Sequence, residues 1–98
     1  MDFHEVMLER NAEFARTGFL PELKIMPSTG TLVVGCVDPR VDPANVLGLK
    51  PGEAAVIRNV GGRVSHELLE TLAVLSVVGA VAGRPGGPRN LVLLQHTE

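Results

Sequence analysis

Three short apolar runs, residues 31–37, 54–58 and 91–94, set between segments with helical punctuation, restrict the possible folds of this chain more than any other feature. The first, Thr-Leu-Val-Val-Gly-Cys-Val, is rich in β-branched residues and does not alternate with polar ones. A strand with one wet face alternates, so this run is predicted to be a strand buried on both faces. After it come Asp42, Pro43 and Gly48, which suit the N-cap, first position and end of a short helix. Lys50-Pro51-Gly52-Glu53 fits a type II turn leading into the second strand. Ser65 can cap a helix over residues 66–81, whose Leu68, Leu69, Leu72, Leu75 and Val78 leave little polar surface. Such a helix is expected to be a buried packing element. A Gly- and Pro-rich loop over residues 83–88 leads to the third run, also expected to be a buried strand.

Strands alternating with helices predict an α/β fold, a mostly parallel sheet flanked by helices. With 98 residues the chain is expected to form a single domain, residues 1–98, with little margin for a core. Within it, residues 1–30 read as an N-terminal helix and connector, and residues 31–98 as the α/β core. Asp2 and Glu5 resemble a capping box, Phe3, Val6, Met7 and Phe14 recur at helical spacing, and Gly18 is a stop. This helix is expected to be amphipathic and to pack on its own domain or on a second subunit.

A content of 45% hydrophobic and 20% charged residues is that of a globular protein. A net charge of -2, with no Lys/Arg cluster and no Trp or Tyr, argues against a nucleic-acid partner. The longest apolar stretch, residues 72–82, is interrupted by Ser76 and Gly79 and is too short to span a membrane. The single cysteine cannot form an intramolecular disulfide, and the acidic start lacks the order of a signal peptide. Both features predict a cytoplasmic protein.

Ligands of parallel sheets gather at the carboxyl ends of the strands. Cys36, Asp38, the Gly61-Gly62 turn and His96 are all expected near that edge. Cys36, Asp38 and Arg40 occupy alternate positions and share a face if the strand continues that far. A thiolate and an imidazole are good zinc ligands, and a carboxylate can join them. Arg40 can hold Asp38 through a charge-assisted hydrogen bond. Each feature also has a plainer reading. Cysteine is often simply buried, Asp38-Pro39 can be a turn with Arg40 as a surface partner, and a strand-end histidine is commonly structural. Gly61-Gly62 can receive an anion on its N–H groups or serve only as a tight strand-to-helix turn.

Several linked motifs carry a family resemblance. Cys36-Val37-Asp38-Pro39-Arg40-Val41 resembles the Cys-x-Asp-x-Arg segment of β-class carbonic anhydrases. Gly48-Leu49-Lys50-Pro51-Gly52-Glu53-Ala54 with Ile57-Arg58-Asn59-Val60-Gly61-Gly62 is similar to the family's next block, and Leu93-Leu94-Gln95-His96-Thr97-Glu98 to its zinc-histidine block. The resemblance implies a zinc enzyme that interconverts carbon dioxide and bicarbonate by attack of a zinc-bound hydroxide. Cys36 and His96 would be zinc ligands and Asp38 and Arg40 the catalytic dyad. Asp38 would orient the hydroxide in an open form and take the fourth zinc position in a closed one. The resemblance also implies a homodimer or higher homo-oligomer. The family's remaining ligand, a cysteine three residues after the histidine, would fall just past Glu98, so the chain is expected to be incomplete at its C-terminus. An upstream Gln and Ser-Pro substrate segment of many members has no clear counterpart. The alternatives are a non-catalytic homologue and an anion- or nucleotide-binding module built on Gly61-Gly62.

Overall fold

The computed structural model describes residues 1–83 and 87–97; the part of the expected loop at 84–86, and Glu98, lie outside the described residues. Three parallel strands, β1 (Thr31–Cys36), β2 (Ala54–Asn59) and β3 (Asn90–Leu93), form a sheet of order β2-β1-β3. The helices are α1 (Phe3–Glu13), α2 (Pro43–Val46) and α3 (His66–Val81). The α/β class and parallel sheet expected from the sequence are therefore present.

β1 lies in the centre because only it pairs on both sides: Thr31 faces Ala54 of β2 and Asn90 of β3, and the register runs on to Cys36 opposite Asn59. Leu32, Val33 and Val34 are almost completely buried although they point to alternate faces. This explains the unbroken apolar run. Leu68 of α3 joins them in the core.

Local punctuation fixes the connections. Asp42 caps α2 by accepting from the Ala44 N–H at 3.0 Å, and Pro43 fills the first helical turn. Pro43 packs over Gly35, where an added Cβ would lie 2.8 Å from its Cγ. Gly52 closes the turn into β2 with φ +82°, and the Glu53 N–H bonds the Lys50 carbonyl at 3.1 Å. Ser65 caps α3 by accepting from Leu68 N–H at 3.2 Å.

Two expectations need correction. Helix α3 is not buried on most sides: only Leu68 and Gly79 are, while Leu69, Val74, Val77 and Val81 are exposed. The sheet gives the helix a single apolar surface, and no described element covers its other side. β3 is not a buried strand either, because among the described residues it pairs only with β1, and Leu91, Val92 and Leu93 are each exposed. Helix α1 begins as expected, with Asp2 accepting from Glu5 N–H at 2.9 Å, and passes after Glu13 into a π-turn over Phe14–Gly18 that ends at the expected stop. It buries no residue against the rest of the described chain, and Phe3, Met7, Leu8 and Phe14 are exposed, which leaves the second-subunit alternative open.

Candidate functional site

All three strands run the same way, so Cys36, the turn after Asn59 and the segment after Leu93 emerge at one edge of the sheet. Cys36 ends β1 and is 8% exposed. Its sulfur accepts from the Gly61 N–H at 3.4 Å and is hydrogen-bonded to the half-buried His96 ring. The His96 bond and the Asp38 and Gly61 backbone N–H groups lower the thiol pKa from 9.0 to about 7, against the opposing effect of burial. A thiolate is therefore accessible near neutral pH, the form that binds metals and acts as a nucleophile.

The Gly61-Gly62 turn makes this convergence possible. Asn59 locks it with two side-chain bonds to the Arg63 backbone, at 2.7 Å and 2.8 Å. Gly62 has φ +59°, and an added Cβ would lie 3.0 Å from the Leu94 carbonyl oxygen, 3.2 Å from Gly35 C and 3.3 Å from Cys36 N. The turn is thus wedged between the ends of β1 and the segment after β3. The Gln95 amide ties that segment down by donating to the Gly62 carbonyl.

β1 stops at Cys36, so the shared strand face expected for Cys36, Asp38 and Arg40 does not form. A 3₁₀ turn over Pro39–Val41 brings Asp38 and Arg40 together instead, with Asp38 accepting the Arg40 N–H at 2.8 Å. The Arg40 guanidinium donates to both carboxylate oxygens, from Nε at 3.1 and 3.2 Å and from Nη2 at 2.7 Å. These bonds hold the Asp38 carboxyl far below the ordinary carboxylate range and raise the Arg40 pKa. Asp38 is the better shielded partner, its side chain 19% exposed against 68% for Arg40.

Arg58, which sequence reasoning gave no role beyond membership of a motif, is a second cation at this edge. It donates from Nε to the Cys36 carbonyl and from Nη2 to the Asp38 carbonyl, both at 2.7 Å, and lies 3.7 Å from Asp42. Only the strand register, which sets Arg58 beside Gly35, could have revealed this.

Cys36 and His96 are the right chemistry for zinc and lie together, so they fit two of the three protein donors a catalytic zinc takes. Asp38 faces Arg40, and among the described residues no group of three His, Cys, Asp or Glu side chains is disposed to hold a metal ion. A separate cavity of about 540 Å³, lined by residues including Ile25, Leu32, Ala55, Leu75 and Arg89, contains none of Cys36, Asp38, Arg40 and His96.

The family model described as carbonic anhydrase matches residues 31–97, which include every one of these site residues. This chain belongs to the β-class carbonic anhydrase family. It is 37% identical over 91 residues to beta-carbonic anhydrase 1 of Mycobacterium tuberculosis, covering 93% of this chain and 51% of that protein. The structure is similar to a carbonic anhydrase from Streptococcus mutans, with TM-score 0.76 and 28% identity over 100% of this chain and 55% of that one. A Sordaria macrospora β-carbonic anhydrase described as tetrameric is 30% identical with TM-score 0.53, covering 80% of this chain and 42% of that one. The chain thus spans about half the length of the β-carbonic anhydrases it matches. Among the described residues no helix is long and apolar enough to cross a membrane.

Proposed function

We propose that the protein to which this β-carbonic anhydrase chain belongs interconverts carbon dioxide and bicarbonate, with zinc held in part by Cys36 and His96. The single observation that supports this most is the meeting of a low-pKa thiol and an imidazole beside a carboxylate already fixed by arginine. Zinc, when bound, supplies the Lewis acidity that makes water a nucleophile at neutral pH. The chain's own residues supply the rest. Cys36 offers a thiolate and His96 a ring nitrogen. Asp38, ionised through its bonds to Arg40, keeps an acceptor for the proton of a reacting water, and Arg40 keeps that carboxylate turned the right way.

The exposed apolar surfaces of α1, α3 and β3 favour a homodimer or higher homo-oligomer. The single cysteine of these 98 residues favours a reducing, cytoplasmic location. Carbon dioxide hydration by the complete gene product, measured with and without a zinc chelator, tests the reading. Chelator-sensitive hydration that falls with metal content in Cys36→Ser supports it; hydration indifferent to both refutes it.

A further inference from the structure

We propose that Arg58 is a positioning residue that sets the distance between the Cys36 thiol and the Asp38–Arg40 pair. The idea rests on the proposed function for its catalytic consequence, but its geometry stands without it. Cys36 is the last residue of β1 and Asp38 the cap of the next turn, so the chain changes direction between them. Backbone leaving a sheet loses ladder partners for its carbonyls, and a buried carbonyl left unpaired is costly. Arg58 fills that gap for the Cys36 carbonyl and adds a second donor to the Asp38 carbonyl, which also accepts the Val41 N–H at 3.1 Å. Its rigid planar fork reaches Cys36 O and Asp38 O at 2.7 Å each, bridging the two residues that carry the thiol and the carboxylate.

Arg58 is itself held in place. Pro43 packs against Gly35 on β1, which brings the adjacent Asp42 carboxylate to 3.7 Å from the Arg58 guanidinium. The Arg58 side chain is 28% exposed, so its bonds are shielded in part from competing water. A lysine has a single nitrogen in place of the fork and cannot span both carbonyls equally well.

Two readouts on the complete gene product test this. The first needs no metal: solvent exchange of the Arg40 Nε–H proton by nuclear magnetic resonance reports whether Asp38 still grips Arg40. In Arg58→Gln that proton should exchange at least about tenfold faster, the factor that accompanies loss of one charge-assisted hydrogen bond. Amide exchange in α3 should not change. Arg58→Lys should fall between Arg58→Gln and wild type, and Asp42→Asn, which keeps an N-cap acceptor, should show a smaller effect in the same direction. The second readout is hydration kcat/KM, which should drop about 10- to 100-fold in Arg58→Gln, as for other outer-shell partners. Unchanged Arg40 exchange in both Arg58→Gln and Asp42→Asn would overturn the proposal, as would exchange that quickens equally throughout α3. If the wild-type protein has no hydration activity, the functional reading fails while the exchange result still decides the positioning role.

Discussion

Substituting alanine for Gly62 should damage the fold and the candidate site together. Two costs combine. An L side chain at φ +59° enters the left-handed region, at about 1–2 kcal/mol. The new methyl would also stand 3.0 Å from Leu94 O, 3.2 Å from Gly35 C and 3.3 Å from Cys36 N. Those atoms are backbone and cannot rotate away, so the ends of β1 and β3 must separate, adding ~1–3 kcal/mol as in other overpacked sites. The sum is about 2–4 kcal/mol once the smaller unfolded-state entropy of alanine is deducted. Gly61 is the internal control. Its φ is +88°, yet its added Cβ would meet only the flexible Arg63 side chain, at 3.4 Å or more. Gly61→Ala should therefore show only the backbone cost, about 1 kcal/mol after the same deduction. Urea unfolding of the two variants isolates the packing contribution as their difference. A thiol titration followed by ultraviolet absorbance reads the site: moving Cys36 away from its partners should raise its pKa from about 7 toward 9.0 in Gly62→Ala. Equal destabilisation by the two substitutions, with the thiol unmoved, would refute the reasoning.

Other outcomes follow from the same geometry. Asp38 is depressed in the folded protein by its bonds to Arg40, so the stability it contributes is fully present above the ordinary carboxylate pKa and is lost only as pH falls through the lowered folded value. A carboxyl-carbon titration should show Asp38 still ionised where ordinary aspartates have protonated, and Arg40→Ala should return it to the ordinary range. Leu32→Ala and Leu68→Ala remove fully buried side chains and should each cost about 2–5 kcal/mol in denaturant unfolding, whereas Val77→Ala, 64% exposed, should stay within ~0.5 kcal/mol. The exposed Leu91, Leu93, Val77 and Val81 should make the isolated 98-residue chain self-associate, and Val77→Lys with Leu93→Lys should reduce the associated fraction in sedimentation.

Much of the fold is written locally and could be read without coordinates. The apolar run at 31–37 betrayed the central strand, and Asp42-Pro43, Pro51-Gly52 and Ser65 marked the connections, because caps and turns depend on side chains only a few residues away. The nearness of Cys36 and His96 was legible because parallel strands bring their carboxyl ends to one edge. The Asp38–Arg40 pair was open to two readings, a shared strand face or a turn with Arg40 at the surface, and the turn is the one present, since Pro39 provides no N–H for a ladder. The exposure of α3 and β3 was not legible: hydropathy says that a residue favours burial, not whether anything lies opposite it. Arg58 was hidden because its partners are backbone carbonyls about twenty residues away, and such bonds leave no mark in local spacing.

The central claim is that the Cys36 thiolate and the His96 imidazole bind one zinc ion. X-ray absorption at the zinc edge, on the zinc-loaded complete gene product, tests it most directly. The account predicts a mixed shell, sulfur at about 2.3 Å and nitrogen at about 2.0–2.1 Å, with less sulfur in Cys36→Ser and less nitrogen in His96→Ala. A shell that neither substitution alters would contradict it.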